Sequence, residues 1–167
     1  MLSLRVKNLL NLKQTEQRSQ EWYAKRKNLL TASDVATVLD NNPYENVSDL
    51  IINKCQDHIQ SDNNEASNQV SKCGVFTSEN ATLKGVIYED VARNVYEKFN
   101  SCNVNEMGLI THPNISWLGA SIDGITNEGK LVEIKCVWSR KIGQSIPPPY
   151  YYWIQVQIQM EVCDIAE

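Results

Sequence analysis

The sequence predicts an α/β domain, because helical and strand patterns occupy different parts of one 167-residue chain. Apolar residues at helical spacing dominate before residue 100, whereas the stretch around residues 120–137 is rich in β-branched residues that alternate as in strands. The length suits one domain with a normal core. Apolar residues at 42% and charged residues at 22% are typical of a soluble globular protein.

Helical patterns fill most of the first hundred residues. Ser19 is the predicted N-cap of SQEWYAKRK, a helix that ends near Asn28, and Thr31 is the predicted cap of TASDVATVLD. Ser48 is the predicted cap of SDLIINKCQDH. The clearest helix is ATLKGVIYEDVARNVYEKFN. Its predicted buried side consists of Tyr88, Val91, Ala92, Val95, Tyr96 and Phe99.

Two segments are predicted loops, and one is ambiguous. The polar run SDNNEASNQVSK (61–72) predicts a mobile loop. In IGQSIPPPY, three successive prolines exclude a helix or a central strand. In YYYWIQVQIQMEVC, apolar residues alternate with glutamines, which is a strand signal, but Trp153, Val156 and Met160 also share a helical stripe. The residues alone slightly favour a strand.

Charge and cysteine usage exclude several classes of protein. The net charge of −4 argues against a general nucleic-acid coat protein, although the first 30 residues are basic. No apolar run approaches the roughly 18–20 residues that span a bilayer, and the N-terminus is too polar for a signal peptide. The five cysteines form no C-x-x-C pair, which argues against a zinc or Fe–S site. We expect free thiols and a reducing intracellular compartment.

A predicted hairpin, GASIDGITNEGKLVEIKCVW, brings charged residues together. Strands WLGASID and LVEIKCVW flank TNEGK, with Gly129 at the left-handed position of a three-residue loop. A register centred on Glu128 places Asp123 opposite Glu133, about 4.5–5.5 Å apart between Cβ atoms. Two carboxylates that close repel unless a cation lies between them. Lys135 shares the face of Glu133, and hard carboxylate oxygens suit Mg²⁺.

The same pattern also fits an exposed hairpin face with a surface Glu–Lys pair. Three features favour a site: the strand is strongly apolar, Gly124 after Asp123 lets a backbone or a ligand come close, and Glu89 is available on the long helix. Gly85, one helical turn before Glu89, leaves the space in front of that carboxylate open. Taken alone, Glu89 is better explained as a solvated helix glutamate.

Four segments, in order, resemble the lambda exonuclease and YqaJ-type viral recombinase nucleases of the PD-(D/E)xK superfamily. EWYAKRKNLLTASDVATVL resembles the family's W-x₃-R-x₆-S opening, and GVIYEDVARNVYE its G-x₃-E helix. GASIDG with LVEIKC resembles the catalytic core, and YYYWIQVQIQM the Q-x-Q helix. The resemblance covers the chain from about residue 20 to its end.

The resemblance implies a single nuclease domain over residues 1–167, with 1–18 as an N-terminal extension. Its fold would be a restriction-endonuclease-like core, a small mixed sheet flanked by helices. It implies a helix rather than a strand over 150–162. Related proteins continue with another strand and helix, which we expect this sequence to lack.

The resemblance also implies roles for the residues of the core. The implied metal ligands are Asp123, Glu133, the Ile134 carbonyl and, directly or through water, Glu89. Lys135 would orient or activate the attacking water and stabilise negative charge.

Three further residues receive roles from the resemblance. Gln155 would hold the active-site lysine or water. Arg26 and Ser33 would bind a terminal 5′-phosphate, which suits an arginine fork and a residue in the first turn of a helix. Each also has a simpler explanation. Gln155 can be a surface glutamine, Arg26 one charge in a basic run and Ser33 a helix-start residue.

The implied function is Mg²⁺-dependent hydrolysis of DNA, with Mn²⁺ able to substitute. It would be a 5′→3′ exonuclease on double-stranded ends in viral or phage-type recombination or replication. The expected partners are DNA ends, with an annealing protein and a homo-oligomer left open, and no membrane. One alternative is a structure-specific or restriction-like endonuclease, which would lack the phosphate pocket. Another is a catalytically silent DNA-binding or assembly module, against which the intact Asp123, Glu133 and Lys135 argue.

Overall fold

The computed structural model describes residues 2–59, 78–137, 141, 143 and 146–167, with 56–59, 78–84 and 86 described by their backbone alone. The helices are α1 (Leu4–Leu10), α2 (Gln20–Lys27), α3 (Ala32–Val38), α4 (Val47–Ile59), α5 (Ser78–Asn100) and α6 (Tyr150–Cys163). The strands are β1 (Leu30–Thr31), β2 (Val104–Glu106), β3 (Leu109–Thr111), β4 (Leu118–Ser121), β5 (Gly124–Thr126) and β6 (Leu131–Val132). The predicted loop 61–72 lies outside the described residues. No helix in the described part of the chain is long and apolar enough to cross a membrane.

Two three-stranded sheets flanked by helices confirm the predicted α/β class. The first has the order β1-β4-β3, with β1 parallel and β3 antiparallel to β4, and the second is the antiparallel β2-β5-β6. Only Ile122 and Asp123 separate β4 from β5, so the predicted strand WLGASID is interrupted there. At this break the carbonyls of Ser121 and Ile122 accept side-chain amides, from Gln159 at 3.1 Å and Gln17 at 3.0 Å.

The helix starts follow local capping chemistry. Ser19 and Thr31 cap α2 and α3, as predicted. The predicted helix α4 is present, but its predicted cap was wrong, because the helix begins before Ser48. Asn46 caps it instead, and its Oδ1 accepts the backbone N–H of Asp49 at 3.0 Å.

The predicted buried side of α5 was also wrong. Phe99 is 88% exposed, and the exposed residues of this side are Tyr88, Val91, Val95, Tyr96 and Phe99. The helix instead presents a charged stripe to the domain. Glu97 accepts the backbone N–H of Val104 at 2.6 Å, and Arg93 pairs with Glu106 at 2.6 Å. These polar contacts orient the helix, and the apolar side faces outward.

The C-terminal helix α6 settles the ambiguity between strand and helix in favour of the helix. It packs against α3 and β4. The buried core also contains Val6 and Leu9 of α1, so the segment set apart as an N-terminal extension packs against the domain. Arg5 donates to the carbonyl of Cys163 at 2.9 Å, which satisfies the end of α6.

Candidate active site

The β5–β6 hairpin has the predicted register. Gly124 lies opposite Val132, and Gly129 turns the chain with a φ of 93°. The next positions outward are Asp123 and Glu133, which follow the paired residues without joining the ladder. The predicted strand LVEIKCVW is therefore limited to its first two residues. Glu133 and Lys135 lie beyond this strand and can take part in a binding or catalytic site.

Asp123 is a partly buried carboxylate among other acids. Its Oδ2 accepts the backbone N–H of Ile134 at 2.6 Å. Burial, reinforced by the negative charges of Glu133 and Glu89, raises the pKa of Asp123 to about 7, although the hydrogen bond from Ile134 and the charge of Lys135 oppose the rise. The ionised form of Asp123 is thus electrostatically disfavoured, and a bound cation would stabilise it. The contact uses the N–H of Ile134, so the predicted role of its carbonyl stays a prediction.

Glu133 is held by three donors. Lys135 Nζ lies 2.6 Å from its Oε1, and Gln155 Nε2 donates to the same oxygen at 2.7 Å. Gln159 Nε2 donates to Oε2 at 2.7 Å. Only a tenth of the Glu133 side chain is exposed. The structure therefore brings Gln155 to Glu133, beside the lysine, while its predicted role toward the lysine or water remains a prediction.

Gln159 is a site residue that the sequence analysis missed. It is fully buried, and its amide bridges Glu133 and the Ser121 carbonyl. Its Oε1 has no hydrogen-bond partner among the described residues. The Q-x-Q pattern directs attention to Gln157, which is exposed and contacts only the Met160 sulfur among its described hydrogen bonds. The spacing of 155 and 159, one helical turn apart, was the signal that could have identified the pair.

Glu89 projects from α5 toward the same carboxylates. Its negative charge raises the pKa of Asp123, although less than burial and Glu133 do. A Cβ added at Gly85 would meet nothing within 4 Å, so the space predicted in front of Glu89 is open. Glu89 is not unpaired, however. Arg18, which the sequence analysis did not single out, lies 2.5 Å from its Oε2.

A second cluster lies around Arg26. Its guanidinium donates to the hydroxyls of Ser121 at 3.2 Å, Thr31 at 3.2 Å and Ser33 at 3.0 Å. It also lies over the Trp22 ring, 4.5 Å from the ring centre. Burial lowers the pKa of Arg26. The structure thus brings the predicted pair Arg26 and Ser33 together and adds Ser121 to them.

The acidic side chains suit a divalent cation chemically but are not gathered around one point. Among the described residues, no three His, Cys, Asp or Glu side chains are placed to hold a metal ion together. Lys135 pairs with Glu133 and Arg18 with Glu89, so two carboxylates are held by their own cations. The available donors are carboxylate oxygens, which are the hard ligands that Mg²⁺ prefers. The negative charges of Glu133 and Glu89 repel that of Asp123.

The chain matches a known protein family over most of its length. Residues 21–166 match the YqaJ-like viral recombinase domain. The chain belongs to this family. The match contains Arg26, Glu89, Asp123 and Glu133, whereas Arg18 lies before it. The resemblance stated from the sequence is confirmed.

Relatives of this YqaJ-like domain include a viral protein and a solved enzyme. The chain is 28% identical over 179 residues to Uncharacterized protein R354 of Acanthamoeba polyphaga mimivirus. The aligned region includes 98% of this chain but 30% of the length of that relative. Two structures of an alkaline exonuclease from Laribacter hongkongensis are each 28% identical. Their TM-scores are 0.66 for the first and 0.67 for the complex with dAMP, over 88% of this chain and 70% of theirs.

Proposed function

We propose that this YqaJ-like domain is a metal-dependent deoxyribonuclease that degrades double-stranded DNA from its 5′ ends during viral-type recombination or replication. The observation that carries the proposal is the hairpin, where Asp123 and Glu133 each lie one residue beyond the last ladder pair, Gly124 and Val132, and Lys135 lies 2.6 Å from Glu133. The likeness to a solved alkaline exonuclease supports the same reaction class.

Asp123 and Glu133 would hold a divalent cation, with the Ile134 carbonyl and Glu89 completing its surroundings. Mg²⁺ is the expected ion, and Mn²⁺ would substitute. Bound there, the cation would lower the pKa of a water molecule and offset negative charge on the phosphate. Asp123 gains most from this charge, because burial and its acidic neighbours disfavour its ionised form.

Lys135 would supply a fixed positive charge beside the reacting phosphate. Its ammonium pairs with Glu133 and lies 5.0 Å from the centre of the Tyr152 ring, so two contacts restrict it. Gln155 and Gln159 hold both oxygens of Glu133. Together these side chains keep the charges oriented before the substrate arrives.

Arg26 and Ser33 would bind the terminal 5′-phosphate. The hydrogen-bond partners described for Arg26 are hydroxyl groups, which do not neutralise its charge. The charge of the neighbouring Asp34 favours the charged form of Arg26, but the ion pair of Asp34 is with Lys54, at 2.8 Å. A phosphate carrying two charges would therefore complement the guanidinium, and recognition of that group would confine the enzyme to strand ends.

DNA ends are the proposed partner, and an annealing protein that uses the resulting single strand would be a second one. Cys55, Cys102, Cys136 and Cys163 are free thiols in the structure. This state suits a reducing compartment of a host cell.

Digestion of linear duplex DNA tests the proposal, with 5′-phosphate or 5′-hydroxyl ends and with Mg²⁺ or EDTA. We expect nucleotides to be released from phosphorylated ends with Mg²⁺ and no release in EDTA. Cutting of closed circular DNA would favour the endonuclease alternative. Binding of DNA ends without any cleavage in Mg²⁺ or Mn²⁺ would favour the silent module.

A further inference from the structure

The ion pair between Arg18 and Glu89 joins the chain before α2 to the acidic site. Arg18 Nη2 lies 2.5 Å from Glu89 Oε2, and the two side chains are 41% and 18% exposed. The pair links residues 71 positions apart in sequence. It is therefore a tertiary contact rather than a local surface pair.

The backbone around Arg18 is built to place this side chain. Gln17 donates to the carbonyls of Met107 at 2.7 Å and Ile122 at 3.0 Å, so it is clamped next to Asp123. Arg18 follows with a φ of 65°, in the left-handed region that disfavours side chains with a Cβ. A charged residue in that conformation suggests a constraint imposed by its partner.

The charge balance shows what Arg18 does to the site. Asp123, Glu133 and Glu89 contribute three negative charges when ionised, and Lys135 and Arg18 offset two of them. A divalent cation would approach an already compensated cluster, and Arg18 occupies an oxygen of Glu89.

We propose that Arg18 is a positioning residue that holds the Glu89 carboxylate and competes with a divalent cation for it. The inference rests on the proposed metal site and extends it to a residue outside the family match. Arg18 acts through Glu89, since it competes with the metal for that carboxylate. Removal of its charge should therefore tighten metal binding.

Binding of Mn²⁺ alone, followed by the EPR signal of the free ion, tests this without measuring activity. Arg18→Gln should lower the Kd of Mn²⁺ by about five- to tenfold, as a nearby screened charge would. Arg18→Gly, which also fits the left-handed backbone, should do the same. Arg18→Lys keeps the charge and should stay near the parent. Lys130→Gln, which removes a cation paired with Glu128 and Glu167 at the hairpin turn, is the control and should change nothing.

A Glu89→Gln background decides whether Arg18 acts through Glu89. There, Arg18→Gln should change the Kd by less than about twofold, because the two residues would be coupled. Unchanged or weaker binding in Arg18→Gln and Arg18→Gly would overturn the inference, as would a full effect without Glu89. In either case, if the parent binds Mn²⁺ and Asp123→Ala does not, the proposed function still stands. No Mn²⁺ binding by the parent would overturn both.

Discussion

Gln159 Nε2 lies 2.7 Å from Glu133 Oε2 and 3.1 Å from the Ser121 carbonyl, so one buried side chain ties α6 to β4 and to the residue that follows β6. The bridge fixes Glu133 relative to the break that carries Asp123. Ser121 in turn accepts Arg26 on its hydroxyl. The acidic site and the Arg26 cluster therefore share one anchoring residue.

Gln159→Leu should lower cleavage about a hundredfold, because small displacements of a catalytic group have effects of that order. It should also lower the free energy of unfolding by about 1–3 kcal/mol, since buried acceptors lose their donor. Gln157→Leu, on the exposed side of the same helix, is the matched control for both measurements. Equal effects of the two substitutions would contradict a role for the bridge.

Lys135→Ala should keep or tighten Mn²⁺ binding, because it removes a cation that pairs with the proposed ligand Glu133. It should lower the cleavage rate by roughly 10²–10³, as loss of a charge-stabilising donor does. Lys135→Arg should restore only part of the rate, because a planar guanidinium does not replace a compact ammonium. Single-turnover cleavage and metal titration separate the two effects. Loss of metal binding in Lys135→Ala would instead identify a structural ion pair.

Arg26→Ala should slow digestion of 5′-phosphorylated ends about tenfold or more, since a hydrogen bond between charged groups contributes roughly 1.5–3 kcal/mol. On 5′-hydroxyl ends the substitution should change little. Arg26→Gln checks that the result reflects charge rather than the lost packing on Trp22. Lys25→Ala, in the same basic run, is the control. An equal loss on both end types would make Arg26 a general backbone contact.

The pH dependence of stability follows from Asp123. Its pKa is about 7 in the folded state against 3.8 for the unfolded group, so the folded protein holds the proton more tightly. This contribution to the free energy of unfolding is fully present below pH 3.8 and is lost as pH rises through 7. Chemical denaturation of metal-free protein should show this slope, and Asp123→Asn should remove it. Mg²⁺ should flatten it by replacing the proton. If stability depended on pH in the same way in the parent and in Asp123→Asn, the raised pKa of Asp123 would be contradicted.

Local chemistry made much of this structure predictable. Strand alternation and Gly129 determined the hairpin register, and side-chain caps determined the starts of α2 and α3. The orientation of α5 was not predictable in this way. Helical spacing defines an apolar face and a charged face of α5. The hydrogen bond between Glu97 and the first residue of β2, Val104, places the charged face against the domain. Arg18 acts through a partner 71 positions away in sequence, so no local pattern reveals it. The helical spacing of Gln155 and Gln159 places them on one face, but it does not indicate that this face contacts Glu133.

Cleavage of 5′-phosphorylated linear duplex DNA in Mg²⁺ by the parent, Asp123→Asn and Glu133→Gln tests the central claim most directly. Each substitution removes a proposed metal ligand and a repelling charge. We predict that both variants remain folded, that Asp123→Asn melts without metal at or above the temperature of the parent, and that neither variant cleaves DNA. A folded variant that cleaves at a rate near the parent's would contradict the assignment of the hairpin as the catalytic site.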